Sequence, residues 1–155
     1  MKNVTRSTLL LACLGVLLVA AAACVPVPPP AAPPANSIQG IVWQWTSVTN
    51  QTTKETTTVP NPENYTIIFN ADGTLTGKAD CNSFSGTYSQ TSGFTIKLGA
   101  TTMMFCGEAS LDQQYLALLS SVAAGGPDGA GNLALETAGG EQRMLFKNGG
   151  PAPKQ

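Results

Sequence analysis

Bulky and polar positions alternate along much of the chain from Ile38 onward, with the period of two that suits half-buried β-strands. Ile41, Trp43 and Trp45 alternate with Val42, Gln44 and Thr46, which predicts a first strand running to about Val48. Residues 50–58 are threonine-rich and lack apolar side chains, so an exposed edge strand or loop is expected until Pro60 and Pro62 break it. Tyr65, Ile67 and Phe69 resume the alternation. Ala71-Asp72-Gly73 then returns the chain into residues 74–78 as a hairpin, because Gly73 can take the positive φ that a tight turn requires. After a corner at residues 81–85, residues 86–89 and 94–98 form a second hairpin, and residues 101–104 read as a short strand leading to Cys106.

One stretch changes period. Leu111, Tyr115, Leu118, Leu119 and Val122 fall at i, i+4, i+7, i+8 and i+11, the stripe of a single amphipathic helix. Ser110 and Gln113 form a candidate capping box, and Gly125-Gly126-Pro127 is expected to end the element. An aspartate in place of Leu118 on this stripe is expected to be severely destabilising. Residues 132–136 and 142–147 pair as a closing hairpin, and residues 149–155 are expected to fray. The pattern as a whole predicts an α+β fold, mostly antiparallel β with one packed helix.

The beginning of the chain has a different character. Lys2 and Arg6 precede an apolar run from Leu9 to Ala23, about the length of a signal-peptide h-region and short of the roughly 20 residues that span a bilayer. Residues 1–23 are therefore expected to be a signal peptide. Small residues directly before Cys24 resemble the bacterial lipobox, which implies a lipid on Cys24 as the mature N-terminus and a membrane anchor in the cell envelope. The alternative is ordinary signal cleavage and free secretion. Residues 25–37 hold six prolines in thirteen positions, which favours extended polyproline II and makes residues 24–37 a tether to a domain at 38–148.

Composition narrows the function. Once Lys2 and Arg6 are left behind, the eight basic residues fall to six against nine acidic ones, a net charge of −3. Without clustered cations, nucleic acid is not an expected partner. There is no histidine, which removes the Ser/His/Asp and Cys/His nucleophile pairs and every imidazole metal ligand. No lysine follows a Ser or Thr by three residues, so the Ser-x-x-Lys motif is absent too. The chain is not expected to be an enzyme, and no cofactor or metal site is expected.

Several spaced signals together resemble the META domain, or HslJ-like, family. They are Trp43 in the opening strand, Ile67-Ile68-Phe69, Gly73 and Gly77 in the hairpin, Cys81-Asn82, Ser85-Gly86-Thr87-Tyr88, and Thr102-Met103-Met104-Phe105-Cys106 before the helix. The family often has glycine directly before Cys-Asn, where this chain has Asp80, and an arginine between the threonine and methionine that is missing here. The resemblance covers roughly residues 38–148. It implies a partly open, barrel-like antiparallel sheet with one helix, found in bacterial envelope proteins with a loose link to envelope stress and no established catalytic residues.

Within the matched segments, Cys81 and Cys106 are the two cysteines left in the mature domain. In an oxidising compartment such a pair reads as a disulfide, the alternative being two buried thiols acting as small apolar residues. Glu108 and Asp112 read as acids placed by the helix dipole. Asp128 to Asn132 reads as a turn rather than a calcium loop, and Met103, Met104 and Phe105 as core. A structural or protein-interaction module with an unidentified envelope partner is the first expectation, and a small-ligand carrier the second. Composition sets no oligomeric state.

Overall fold

A computed structural model describes residues 37–154. The expected signal peptide at 1–23, the lipidation residue Cys24 and nearly all of the 24–37 tether lie outside the described residues.

The strands are β1 (Ile41–Asn50), β2 (Thr56–Thr58), β3 (Tyr65–Phe69), β4 (Thr74–Ala79), β5 (Asn82–Ser89) and β6 (Thr95–Thr101). Helix α1 (Asp112–Ser120) follows, and then β7 (Val122–Pro127), β8 (Leu133–Thr137) and β9 (Gln142–Pro151). They form one antiparallel sheet in the order β6-β5-β4-β3-β1-β9-β8-β7, with β2 on the side of β1, curled into a half-barrel. The two ends of the order meet where Phe94 N donates to Ala123 O at 3.1 Å. The α+β class and antiparallel sheet are those read from the periodicity.

Period two puts the core on the concave face. Trp43, Trp45 and Val48 from β1, Ile67 and Phe69 from β3, Leu75 from β4, Leu133 and Leu135 from β8, and Met144 and Phe146 from β9 are all buried. The hairpin between β3 and β4 turns through Gly73 at φ +82°. From α1, Tyr115 and Leu119 enter the concavity. The Tyr115 ring stacks on Trp45 at 5.0 Å and meets Tyr65 and Phe84 edge to face at 5.8 and 6.0 Å. Each such side chain, fully buried, contributes about 1.5–3 kcal/mol.

Four expectations are corrected. Helix α1 ends at Ser120, and the Gly125-Gly126-Pro127 segment is strand instead, because β7 pairs with β8 from Val122 to Pro127. Val122 is buried from that strand, and Leu118 is only half-buried while Leu119 is sealed. No capping box forms: Leu111 occupies the N-cap position, the Ser110 hydroxyl accepts from Asp112 N, and the Gln113 amide binds the Asp112 carboxylate. β9 runs through Pro151, held by Ala152 N donating to Gly40 O at 2.9 Å, so part of the expected tail is strand.

Candidate functional site: a clasped apolar loop

β6 ends at Thr101, and no strand forms over residues 102–106. The segment's backbone bonds go elsewhere. Thr102 N donates to Ser83 O at 3.0 Å, Ser83 N donates to the Thr102 hydroxyl at 2.9 Å, and that hydroxyl donates to Asn82 Oδ1 at 3.1 Å. Asn82 is buried at the start of β5. Its Oδ1 accepts from Met104 N at 2.7 Å, while Nδ2 donates to Met104 O at 3.0 Å and to Asp112 Oδ2 at 3.1 Å. An asparagine amide can mimic a strand partner in this way because it carries donor and acceptor side by side.

A covalent tie adds to the clasp. Cys81 and Cys106 form a disulfide with Cα atoms 5.6 Å apart, and Cys106 Sγ also accepts from Asn82 Nδ2 at 3.3 Å. Cys81 sits in the two-residue turn between Ala79 and Asn82, after Asp80 at φ +59°. That left-handed conformation is easiest for glycine and tolerated by aspartate, which explains why glycine suits the position before Cys-Asn.

The clasp leaves the side chains of the loop outside. Met103 is 86% exposed, Met104 58% and Phe105 85%, so the expectation that they are core is corrected. They are the exposed large hydrophobics among the described residues. Beside them lies an open groove of about 420 Å³, lined by the loop and by Glu108, Ser110, Asp112 and Gln113. Glu108 is exposed in the segment before the helix, and Asp112 is 7% exposed at the first turn of α1.

Of the motif residues, the fold gathers Cys81, Asn82, Met104 and Cys106 at this one place. Trp43, Gly77, Gly86 and Tyr88 lie elsewhere and shape the sheet. Trp43 is buried with Nε1 donating to Ile38 O at 2.8 Å, and the Tyr88 hydroxyl donates to Asn70 O at 2.9 Å. A Cβ on Gly77 would collide with Thr66 O and the Phe84 ring, and one on Gly86 with Lys97 O, so both glycines permit close strand approach. Sequence reasoning missed the roles of Thr102 and of Asp112, whose buried carboxylate completes the Asn82 network. It also missed Tyr65, whose hydroxyl accepts from Leu111 N at 2.9 Å. Among the described residues, no three His, Cys, Asp or Glu side chains gather as a metal site would require.

A curled antiparallel half-barrel with one helix packed into its concavity defines the class of small α+β domain. The META domain model matches residues 36–150, and the chain belongs to that family. Among solved structures, it is similar to a Burkholderia xenovorans protein determined by NMR, with TM-score 0.57 and 18% identity over 80% of this chain and 96% of that one. It is also similar to the crystal structure of a DUF4847 family protein from Bacteroides vulgatus, with TM-score 0.54 and 15% identity over 76% of this chain and 96% of that one. At these identities the likeness concerns the fold. No curated protein matches the chain.

Proposed function

We propose that the chain is an exported lipoprotein, held in the bacterial cell envelope by a lipid on Cys24, whose META domain is a non-catalytic protein-interaction module. The observation that carries this reading is the Met103-Met104-Phe105 segment, three exposed apolar side chains on a backbone fixed by the Asn82 amide and the disulfide. Fixing the loop before binding lowers the entropy lost on association, and methionine and aromatic side chains adapt well to protein surfaces. Carriage of a small ligand has less support, because Trp45, Tyr115, Phe69 and Phe146 fill the concavity. The absence of histidine argues against catalysis, and the family resemblance makes envelope stress the process to examine first.

Two measurements test the proposal. A photo-crosslinking amino acid at Phe105, in cells carrying the full chain, is expected to give envelope-protein adducts that are missing when it stands at exposed Thr87. Equal yields from the two positions would remove the loop as the interaction surface. Labelling with a fatty-acid analogue is expected to mark the wild type and not Cys24→Ser; equal labelling would remove the anchor.

A further inference from the structure

We propose that the groove beside the clasped loop binds an extended polypeptide segment that presents a large apolar side chain with a Lys or Arg one or two residues away. This rests on the interaction-module reading and specifies its partner.

The groove's lining is mixed in chemistry. Met103 and Phe105 supply exposed apolar surface, Glu108 and Asp112 supply carboxylates, and neither Lys nor Arg lines the groove. Asp112 is the more telling of the two acids. Its Oδ2 is taken by the Asn82 and Gln113 amides, both neutral, and no described residue donates to its Oδ1. Among the described residues, the sealed and unpartnered side-chain oxygen or nitrogen is the Tyr115 hydroxyl, so Asp112 Oδ1 is not sealed. Asp112 thus lines the groove as a residue only 7% exposed, its carboxylate held through Oδ2 by two neutral amides and by no cation.

A carboxylate with so little access to water is stabilised by a cation far more than an exposed one is, because water competes less for it. The ion pair present among the described residues, Arg143 with Glu136 at 3.0 Å, lies between β9 and β8 and supplies no cation here. At about 420 Å³ the groove suits one or two side chains of a passing chain. An apolar side chain would cover Phe105 and Met103 as its basic neighbour reached Glu108 and Asp112. An extended chain sends adjacent side chains to opposite sides and alternate ones to the same side, so a Lys or Arg within two positions of the apolar residue can, on its long stem, reach an acid in the same groove. An anionic lipid surface fits poorly, since both ionisable groups in the groove carry its own sign.

The test uses the full mature lipoprotein in detergent, immobilised and offered a displayed library of random dodecapeptides. Selected peptides are expected to share a large apolar residue with Lys or Arg within two positions. A synthetic copy, followed by fluorescence anisotropy, should bind at least tenfold more weakly to Phe105→Ser and to Glu108→Lys, and unchanged to Asp128→Lys in the β7–β8 loop. Thermal melts of Phe105→Ser and Glu108→Lys are expected to match wild type, because both positions are exposed. Asp128→Lys is expected to melt somewhat lower, since Asp128 accepts from Ala130 N, Asn132 N and Asn132 Nδ2 in its own loop, and still to bind the peptide unchanged. Selected peptides that lack basic residues, or that bind equally well to Glu108→Lys, would overturn the proposal. So would Phe105-dependent binding to phosphatidylglycerol vesicles in place of peptides. Crosslinks from Phe105 together with cation-free peptides would leave the interaction module standing and remove only this assignment of its partner.

Discussion

The side-chain amide of Asn82 binds both backbone groups of Met104, accepting from its N–H at 2.7 Å and donating to its carbonyl at 3.0 Å. One buried residue of β5 thereby fixes a segment 22 positions away that carries the exposed apolar side chains.

Asn82→Asp keeps the size and shape but replaces the donor with oxygen, facing Met104 O and the Asp112 carboxylate. At neutral pH it is expected to cost about 3 kcal/mol or more, since a buried charge would meet a like charge and an unpaired acceptor. The same surroundings would raise the new carboxyl above its unfolded value of about 3.9. A raised folded-state pKa means the penalty shrinks as pH falls and the group becomes neutral. Urea denaturation at about pH 7 and about pH 4 measures both effects. Equal midpoints for variant and wild type would mean that the clasp carries no stability.

Cys81 and Cys106 close a loop with a sequence separation of 25. On the chain-entropy account such a loop is worth about 3 kcal/mol, and for a domain of this size its loss lowers the melting temperature by about 10 °C. The mature protein purified without reductant is expected to show no free thiol at Cys81 or Cys106 after denaturation. Two reactive thiols there would contradict the bond. Because the bond also anchors the loop, Cys106→Ser is expected to speed hydrogen exchange at Met104 N–H.

The strands and helix were legible where side chains impose a period. Tyr65, Ile67 and Phe69 alternate cleanly and Gly73 marks the turn, so the β3–β4 hairpin could be read directly. Val122 was misassigned for a definite reason: it falls in helical register with Leu119, and the Ala-Ala-Gly-Gly that follows has no side-chain pattern of its own. Pairing with β8, a tertiary effect, makes that segment a strand. The site was legible only in part. Cys81-Asn82 and Cys106 stood out as the mature domain's two cysteines within segments resembling the META family, but Met103-Met104-Phe105 read as core because hydrophobicity alone does not reveal where backbone hydrogen bonds go. That outcome depends on Asn82 and Thr102, polar residues whose sequence neighbours say nothing of their partners.

Burial within α1 separates two adjacent leucines. Leu119 is sealed in the core, whereas Leu118 is half-buried beside a shallow hollow lined by Gln114, Thr137 and Glu141. Leu119→Ala is expected to cost about 2–5 kcal/mol, through lost transfer energy and the cavity left behind. Leu118→Asp, expected from the helical stripe to be severe, should cost only about 1 kcal/mol, since a partly exposed carboxylate can reach water. Denaturant midpoints of the two variants decide between the pattern and the packing. The reverse order of stability would place Leu118 in the core.

Tyr115 sets the ring-packing benefit of the core against a polar cost. Its ring stacks on Trp45, but its hydroxyl is sealed with no hydrogen-bond partner, and burial holds its pKa well above the ordinary tyrosine value. Tyr115→Phe retains the ring contacts and removes the unpaired hydroxyl, so it is expected to stabilise the domain by about 1 kcal/mol. The sign of the pH effect follows from proton binding. In the unfolded chain this tyrosine ionises near pH 10, while in the folded protein it stays protonated. Above about pH 10 the unfolded state therefore binds fewer protons, and the stability present below that pH is lost as pH rises. Tyr115→Phe lacks this loss, so its advantage over wild type should widen between about pH 7 and about pH 11 in matched urea titrations. A variant less stable than wild type by 1 kcal/mol or more at about pH 7 would mean that the hydroxyl has a partner, an internal water being the simplest.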